Sequence, residues 1–289
     1  MKSFVIFILL IMFGLSAWSQ ADRLDSLLMD VLGDDKEMMR LLNPPSAYYY
    51  LYGSIAGDSK SYYAGRELGD DMYNINGNLY FFHSKGFFLG ASGSWYSQLD
   101  PSYNTTTVSA GFTGPLNLKK SLNFSASYCR YFYNTGDPET ESVFNNNIGT
   151  GLTLRNKWIG GRLSFNFLFG KEFGMNVTPE IFSHITIVRF GNYNKIELAP
   201  ELYVFLGSET IEYENASNIG NPPQESSTTT EDAYGLLNTC FYLPVCVFLG
   251  DFDLELGYSV NIPTTKDETY TYPVSSYFSF SIGYMLPLN

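Results

Sequence analysis

From Phe252 to Ile262 every second residue is apolar: Phe252, Leu254, Leu256, Tyr258, Val260 and Ile262. Between them stand Asp253, Glu255, Gly257, Ser259 and Asn261. Successive side chains of a strand point to opposite faces, whereas a helix would scatter these two sets around its axis. The segment therefore reads as a strand with one apolar and one polar face. The pattern recurs at Phe278, Phe280, Ile282, Tyr284 and Leu286 against Ser279, Ser281 and Gly283. It recurs again over Ile196 to Leu206, with Glu197, Glu201 and Tyr203 on the second face, and over Ile159 to Phe169, with Arg162, Ser164 and Asn166 there. Weaker alternation marks strands near 47–56, 72–82, 87–96, 104–113, 122–133, 143–154, 175–189 and 233–247. Twelve strands result, mostly about 10–15 residues long, enough to cross a bilayer at about 45° tilt.

What the polar face meets decides the fold class. In a secreted β-sandwich that face meets water and carries Lys and Glu; here it is mostly Ser, Asn, Gly and Tyr. Charged residues are 16% of the chain and aromatics 17%, a balance that suits a boundary between lipid and water. The expected fold is all-β: a transmembrane antiparallel up-and-down β-barrel of about twelve strands over 46–289. Arg130 and Arg189 fall on the apolar parity, near strand ends where an Arg can snorkel or a bulge can reset the phase.

Residues 1–19 read as a signal peptide: Lys2, an apolar run from Val5 to Leu15, then Ala17-Trp18-Ser19 before the expected cut. Residues 20–45 form an expected periplasmic helical segment. Its Leu24, Leu27, Leu28, Val31 and Leu32 share a helical face, Gly33 interrupts it and Asn43-Pro-Pro ends it. It would plug the barrel mouth or trail as a tethered leader. Connections are tight at Ser84-Lys85, 155–157, Gly191 to Asn194 and 249–251, intermediate at 114–121, and long and polar at 57–71, 208–232 and 263–274. With an even strand count this places both termini and the tight turns in the periplasm. The net charge of −12, one unit more negative once Lys2 is removed, disfavours nucleic acid as a partner. Of three Cys, Cys240 and Cys246 lie on one strand, about 20 Å apart and beyond bridging reach.

The segment Ser281-Ile-Gly283-Tyr-Met-Leu286-Pro-Leu288 resembles the C-terminal signal read by the barrel-assembly machinery, although Leu-Asn rather than an aromatic ends it. More widely, the chain resembles uncharacterised, porin-like outer-membrane β-barrels of the Bacteroidota. The likeness is carried by Trp18-Ser-Gln, Tyr63-Ala-Gly-Arg66, Gly93-Ser-Trp95 with Asn104-Thr-Thr, Gly257-Tyr-Ser-Val-Asn-Ile-Pro263 and Phe280-Ser-Ile-Gly-Tyr284. It implies fold and an outer-membrane location, with outer-membrane lipid and the assembly machinery as partners, and brings no activity.

Catalysis needs a nucleophile beside an oriented base. Of the two His, His83 sits at a tight turn, and His184 has Ser183 on the opposite strand face. A hydrolase is thus the third-ranked reading. The acidic loops 57–71 (Asp58, Glu67, Asp70, Asp71) and 208–232 lack metal-binding spacing and read as solvated, mutually repelling loops; no metal or other cofactor is expected. Inward positions of three consecutive strands bring Arg162, Glu180, His184 and Glu201 together as an expected polar network in the lumen. His184 would lie within about two residues of Glu201, with Gly149 and Gly151 facing Arg162; Asp253 and Glu255 add carboxylates. The leading function is a narrow channel for small neutral or cationic solutes. The alternative is a non-conducting structural or partner-binding barrel filled by Tyr48, Tyr50, Tyr52, Tyr80 and Tyr131.

Overall fold

A computed structural model describes residues 48–288 apart from 69–70, 118, 120, 135–142, 157, 192–193, 216–226 and 266–270, and the side chains of 209–233. The expected signal peptide and the helical segment at 20–45 lie outside the described residues.

The strands are β1 (Tyr49–Asp58), β2 (Tyr62–Tyr63), β3 (Arg66–Glu67), β4 (Asn74–His83), β5 (Phe87–Tyr96) and β6 (Tyr103–Pro115). They continue as β7 (Leu122–Tyr133), β8 (Phe144–Arg155), β9 (Gly160–Gly170), β10 (Phe173–Phe182), β11 (Ile185–Phe190) and β12 (Asn194–Leu198). The last four are β13 (Glu201–Asn215), β14 (Ser227–Leu249), β15 (Phe252–Pro263) and β16 (Ser275–Leu288). All pairings are antiparallel; the barrel strands pair in chain order, with β1 on β4 and β10 on β13, and β1 pairs with β16 to close the ring. Twelve strands form the barrel; β2–β3 is a separate hairpin, and β11–β12 extends the β10–β13 connection along β14. Ladder partners traced from Leu79 run through Ala91, Val108, Arg130, Asn146 and Phe169 to Phe173. In the other direction they run through Gly53, Tyr284 and Phe252 to Leu249. The two ends are out of step by about 16 residues along the β12–β13 line, which sets the strand tilt near 45°.

Period two now has its physical reason. Ile55, Leu79, Leu89, Val108, Ile148, Leu152, Leu256, Phe280 and Ile282 are exposed on the outside. Asn76, Ser92, Thr107, Ser125, Ser164, Asn166, Thr178 and Ser259 are buried inside. Aromatic side chains rim the apolar band: Tyr49, Phe87, Trp158 and Phe252 at the end of the β4–β5, β8–β9 and β14–β15 turns, and Tyr73, Tyr103, Phe132 and Phe173 at the other. This is the outer surface of a transmembrane barrel, whose backbone groups pair between strands because lipid offers them no partner. The turn between β4 and β5 shows what a tight connection demands: Gly86 has a φ of 92° and lies against the Thr113 carbonyl, leaving no room for a Cβ.

Three expectations need correction, and the two arginines on the apolar parity divide between the two expected alternatives. The strand expected over 175–189 is broken at Ser183-His184 and its partner at Ala199-Pro200, since Pro200 has no N–H to continue a ladder. There the Ser183 N–H donates to the Pro200 carbonyl at 3.0 Å. The polar stretch 208–232 is largely strand: β13 and β14 stay paired from Ser208–Tyr234 to Asn215–Ser227, rising as a two-stranded ribbon. Arg189 is rephased by a bulge between Thr186 and Val188, whereas Arg130 sits in regular ladder and faces outward. The loop after β1 is not a solvated acidic coil but folds over the barrel, as described next.

Candidate lumen site

On the β1–β4–β5 wall, buried Tyr52, Tyr80, Phe82 and Phe88 pack together with Tyr50 and Met285 against them. Their spacing is two along each strand, so all point inward. Five inward rings lie against a glycine of the neighbouring strand: Tyr80 against Gly90, Phe88 against Gly111, Phe182 against Gly160, Tyr242 against Gly257 and Tyr52 against Gly283. At each of these glycines the ring occupies the space a Cβ would take, so ring and glycine fill one another and the ring is held against the wall.

The opposite wall carries charge. Arg162 Nη1 lies 3.2 Å from Glu180 Oε2, with the two side chains 3% and 8% exposed. They are direct register partners on β9 and β10. Facing Arg162 from β8 is Thr153, fully buried, rather than Gly149 or Gly151; Gly151 pairs with Ser164. The expected placement was one register step off. Phe182, two residues beyond Glu180, has Arg162 5.5 Å and Arg155 5.6 Å from its ring centroid. His184 meets the same ring edge-on at 5.6 Å. Glu201 is the register partner of Phe182 on one side and Tyr242 on the other. The four residues therefore converge on one wall around Phe182, a residue that folding 158–169 on 175–189 already brings near Arg162. Two strands further round, Asp253 accepts a hydrogen bond from the Tyr52 hydroxyl at 3.1 Å. Glu255 accepts from the Tyr242 hydroxyl and, at 3.8 Å, from the Cys246 thiol. Tyr242 and Ser279 hydroxyls lie 3.0 Å apart. Towards the tight turns, Glu197 accepts from Thr186 Oγ1 at 2.8 Å and meets Lys195 Nζ at 3.2 Å.

The third element is the connection after β1. Tyr63-Ala64-Gly65-Arg66 is a two-residue hairpin turn with φ of 47° at Ala64 and 79° at Gly65, the backbone a tight β2–β3 hairpin requires. Its tip crosses to the far side of the barrel. Tyr63 and Ala64 pack on Leu168, Phe205 and Leu237 of β9, β13 and β14. Gly65 lies against the Asn238 side chain with no space for a Cβ, and its carbonyl accepts from Ser275 Oγ at 3.1 Å. Arg66 donates to the Thr264 carbonyl at 3.0 Å and stacks over Tyr272 at 4.2 Å. Tyr62 stacks on Tyr277 with centroids 5.0 Å apart. Lys60 fastens the base, meeting Glu67 at 2.8 Å and Asp71 at 3.2 Å; the Glu67 hydrogen bond, then that of Asp71, hold its ammonium well above the ordinary lysine range.

The C-terminal signal residues lie on the closing strand, where Ser281 pairs with Ala56 and Glu255, and Gly283 with Ser54 and Asp253. Leu286 and Leu288 pair with Leu51 and Tyr49. Gly283 is required there because the Tyr52 ring covers it. His83 serves its turn, with Nδ1 accepting the Lys85 N–H at 2.9 Å. Cys129, Cys240 and Cys246 are free thiols. Among the described residues no three His, Cys, Asp or Glu side chains converge as metal ligands.

The fold and its surface define an outer-membrane type of β-barrel. No family model matches the chain, and no curated protein matches it. Among solved structures it is similar to the KdgM porin, at 10% identity and a TM-score of 0.44, covering 84% of this chain and 100% of that one. It is similar to the NanC porin at 10% identity and 0.42, covering 81% and 98%. An outer membrane channel from Pseudomonas putida F1 matches at 11% identity and 0.42, covering 86% and 97%. At such values the solutes of those proteins do not transfer to this one.

Proposed function

We propose that the barrel is a narrow channel for small neutral or cationic solutes, with its termini and its β4–β5, β8–β9 and β14–β15 turns in the periplasm. The observation that carries this reading is the division of charge in the lumen. Arg162 is deeply buried and held by Glu180, whereas Glu201, Asp253 and Glu255 are only half-buried on the inner wall. Half-buried inward groups border the open part of a lumen, so a passing solute meets carboxylates, hydroxyls and amides there. Carboxylates attract cations and repel anions through Coulomb forces that a narrow, low-dielectric pore strengthens. The β2–β3 hairpin lies across the mouth and narrows the entrance on the β13–β16 side.

A non-conducting barrel is the second reading. It is favoured by the packing of Tyr52, Tyr80, Phe82 and Phe88, none more than 7% exposed. Single-channel recording of the full mature chain in planar bilayers separates the two. The channel reading expects discrete conductance with cation preference, and a shift towards anions in Glu201→Gln and Glu255→Gln. Silent insertion of folded protein would favour the closed barrel, and conductance without a shift would leave both carboxylates as wall braces. Orientation has its own test: after removal of native thiols, Cys at Ser227 should label in intact cells with an impermeant reagent, and Cys at Asn156 should not.

A further inference from the structure

Arg130 is a cation on the outer surface that the lumen reading does not use. Arg130 points outward from β7 between exposed Tyr128 and Phe132, and its register neighbour on β6 is exposed Val108. It is three residues from the end of β7 at Tyr133, which places it just inside the aromatic rim at the mouth that holds the hairpin. A long side chain there can lift its head towards the membrane surface. This one is held instead. Nη1 donates to Asn145 Oδ1 at 3.1 Å and to Asn146 Oδ1 at 2.9 Å. Tyr128 donates its hydroxyl to the same Asn146 Oδ1 at 2.7 Å, and Asn146 Nδ2 donates to the Phe169 carbonyl at 3.2 Å. The Arg130 guanidinium also lies 5.7 Å from the Phe132 ring centroid.

The sequence arranges this nest with a bulge. The β8–β9 register shifts between Phe144 and Asn146, so Asn145 is the extra residue and two consecutive asparagines reach the same guanidinium. Their amides are neutral. They orient the fork through one nitrogen and leave the positive charge without a carboxylate at this lipid-facing site among the described residues. An oriented guanidinium presents parallel N–H groups that match two oxygens of a phosphate, and it binds such an anion more strongly where water is scarce. Membrane surfaces supply phosphate at this depth.

We propose that Arg130, with Asn145, Asn146 and Tyr128, is a binding site for the phosphate of a membrane lipid on the outer wall of the barrel. The aromatic rings flanking it, Tyr128 and Phe132, give the lipid's first methylene groups an apolar surface. The site takes one phosphate, and its lipid selectivity is selectivity for headgroup charge.

The experiment is native mass spectrometry of the mature chain in a non-ionic detergent, titrated with lipid A or with its enzymatically dephosphorylated form. Wild type should retain the phosphorylated lipid about tenfold more than Arg130→Leu does, and should not distinguish the variant with the dephosphorylated lipid. Asn145→Asp guards against a folding artefact. It keeps the arginine but supplies an internal carboxylate, and should release the lipid as fully as Arg130→Leu while the barrel stays heat-modifiable on gels. Equal retention by wild type and both variants would overturn the site. So would equal retention of the dephosphorylated lipid. Displacement by millimolar inorganic phosphate as effective as displacement by the lipid would show a free-phosphate site and overturn the lipid assignment.

Discussion

The two walls of the lumen fill a narrow barrel in different ways. On β1, β4 and β5 the filling is aromatic, and Phe82 is fully buried among rings. On β9 and β10 it is a buried ion pair backed by Phe182. The aromatic wall needs only volume, and a neighbouring glycine for each ring to lie upon. The charged wall needs register, because an Arg displaced by one pair would deprive Glu180 of its ion pair in a low dielectric. Tyr52 and Tyr242 join the two, each resting over a glycine and offering its hydroxyl to a carboxylate of β15.

This contrast predicts its own largest effect. Arg162→Ala leaves Glu180 buried without its ion-pair partner and should lower unfolding free energy by about 3–5 kcal/mol in urea titrations from micelles. The double variant Arg162→Met, Glu180→Leu should recover most of that loss. If the double variant is as unstable as the single one, the pair supplies more than mutual neutralisation. Phe82→Ala on the other wall should cost about 3 kcal/mol. It should also raise single-channel conductance, because the cavity opens towards the lumen. A loss under about 1 kcal/mol would mean the ring cluster is loosely packed and the contrast between the walls is overstated.

The difference between the walls also explains what could be read in advance. Alternation is a property of single strands, so twelve crossings and their inward faces were legible from residues such as Phe252 to Ile262. Arg162 and Glu180 could be brought near one another because only one short turn separates β9 from β10, and each further turn adds a register uncertainty. The error in what faces Arg162, Thr153 rather than a glycine, came from such a turn. The Tyr52 ring over Gly283 was illegible, since the two meet only when the first and last strands close the barrel. The ribbon at 208–232 was misread because acidic, polar residues usually mark a solvated loop, whereas ladder pairing with β14 is a long-range matter. Loop 57–71 misled for a different reason: its Lys60, Glu67 and Asp71 satisfy one another locally, and strands of two residues are too short to show a period.

The hairpin at the mouth leans on the charged side of the lumen, so it offers the finest test of the comparison. Gly65 is its most constrained point: φ is 79°, and Asn238 of β14 occupies the place of a Cβ. Gly65→Val brings a branched side chain into both constraints at once. The backbone conformation alone costs such a residue about 1–3 kcal/mol, less than the barrel's ladders hold. The expected result is therefore local: the tip lifts from Asn238, Tyr63 leaves its seat on Leu168, Phe205 and Leu237, and the barrel stays folded. Conductance should rise, while the ionic preference that the proposed channel assigns to Glu201, Asp253 and Glu255, deeper in the lumen, stays near that of wild type. If ionic preference moves with conductance, Arg66 at the tip is part of the selecting element, and the entrance rather than the inner wall governs which solutes pass. If conductance is unchanged with the tip displaced, as reported by greater labelling of a Cys placed at Ser61, the narrowest section lies below the hairpin, between the ring cluster and the carboxylates.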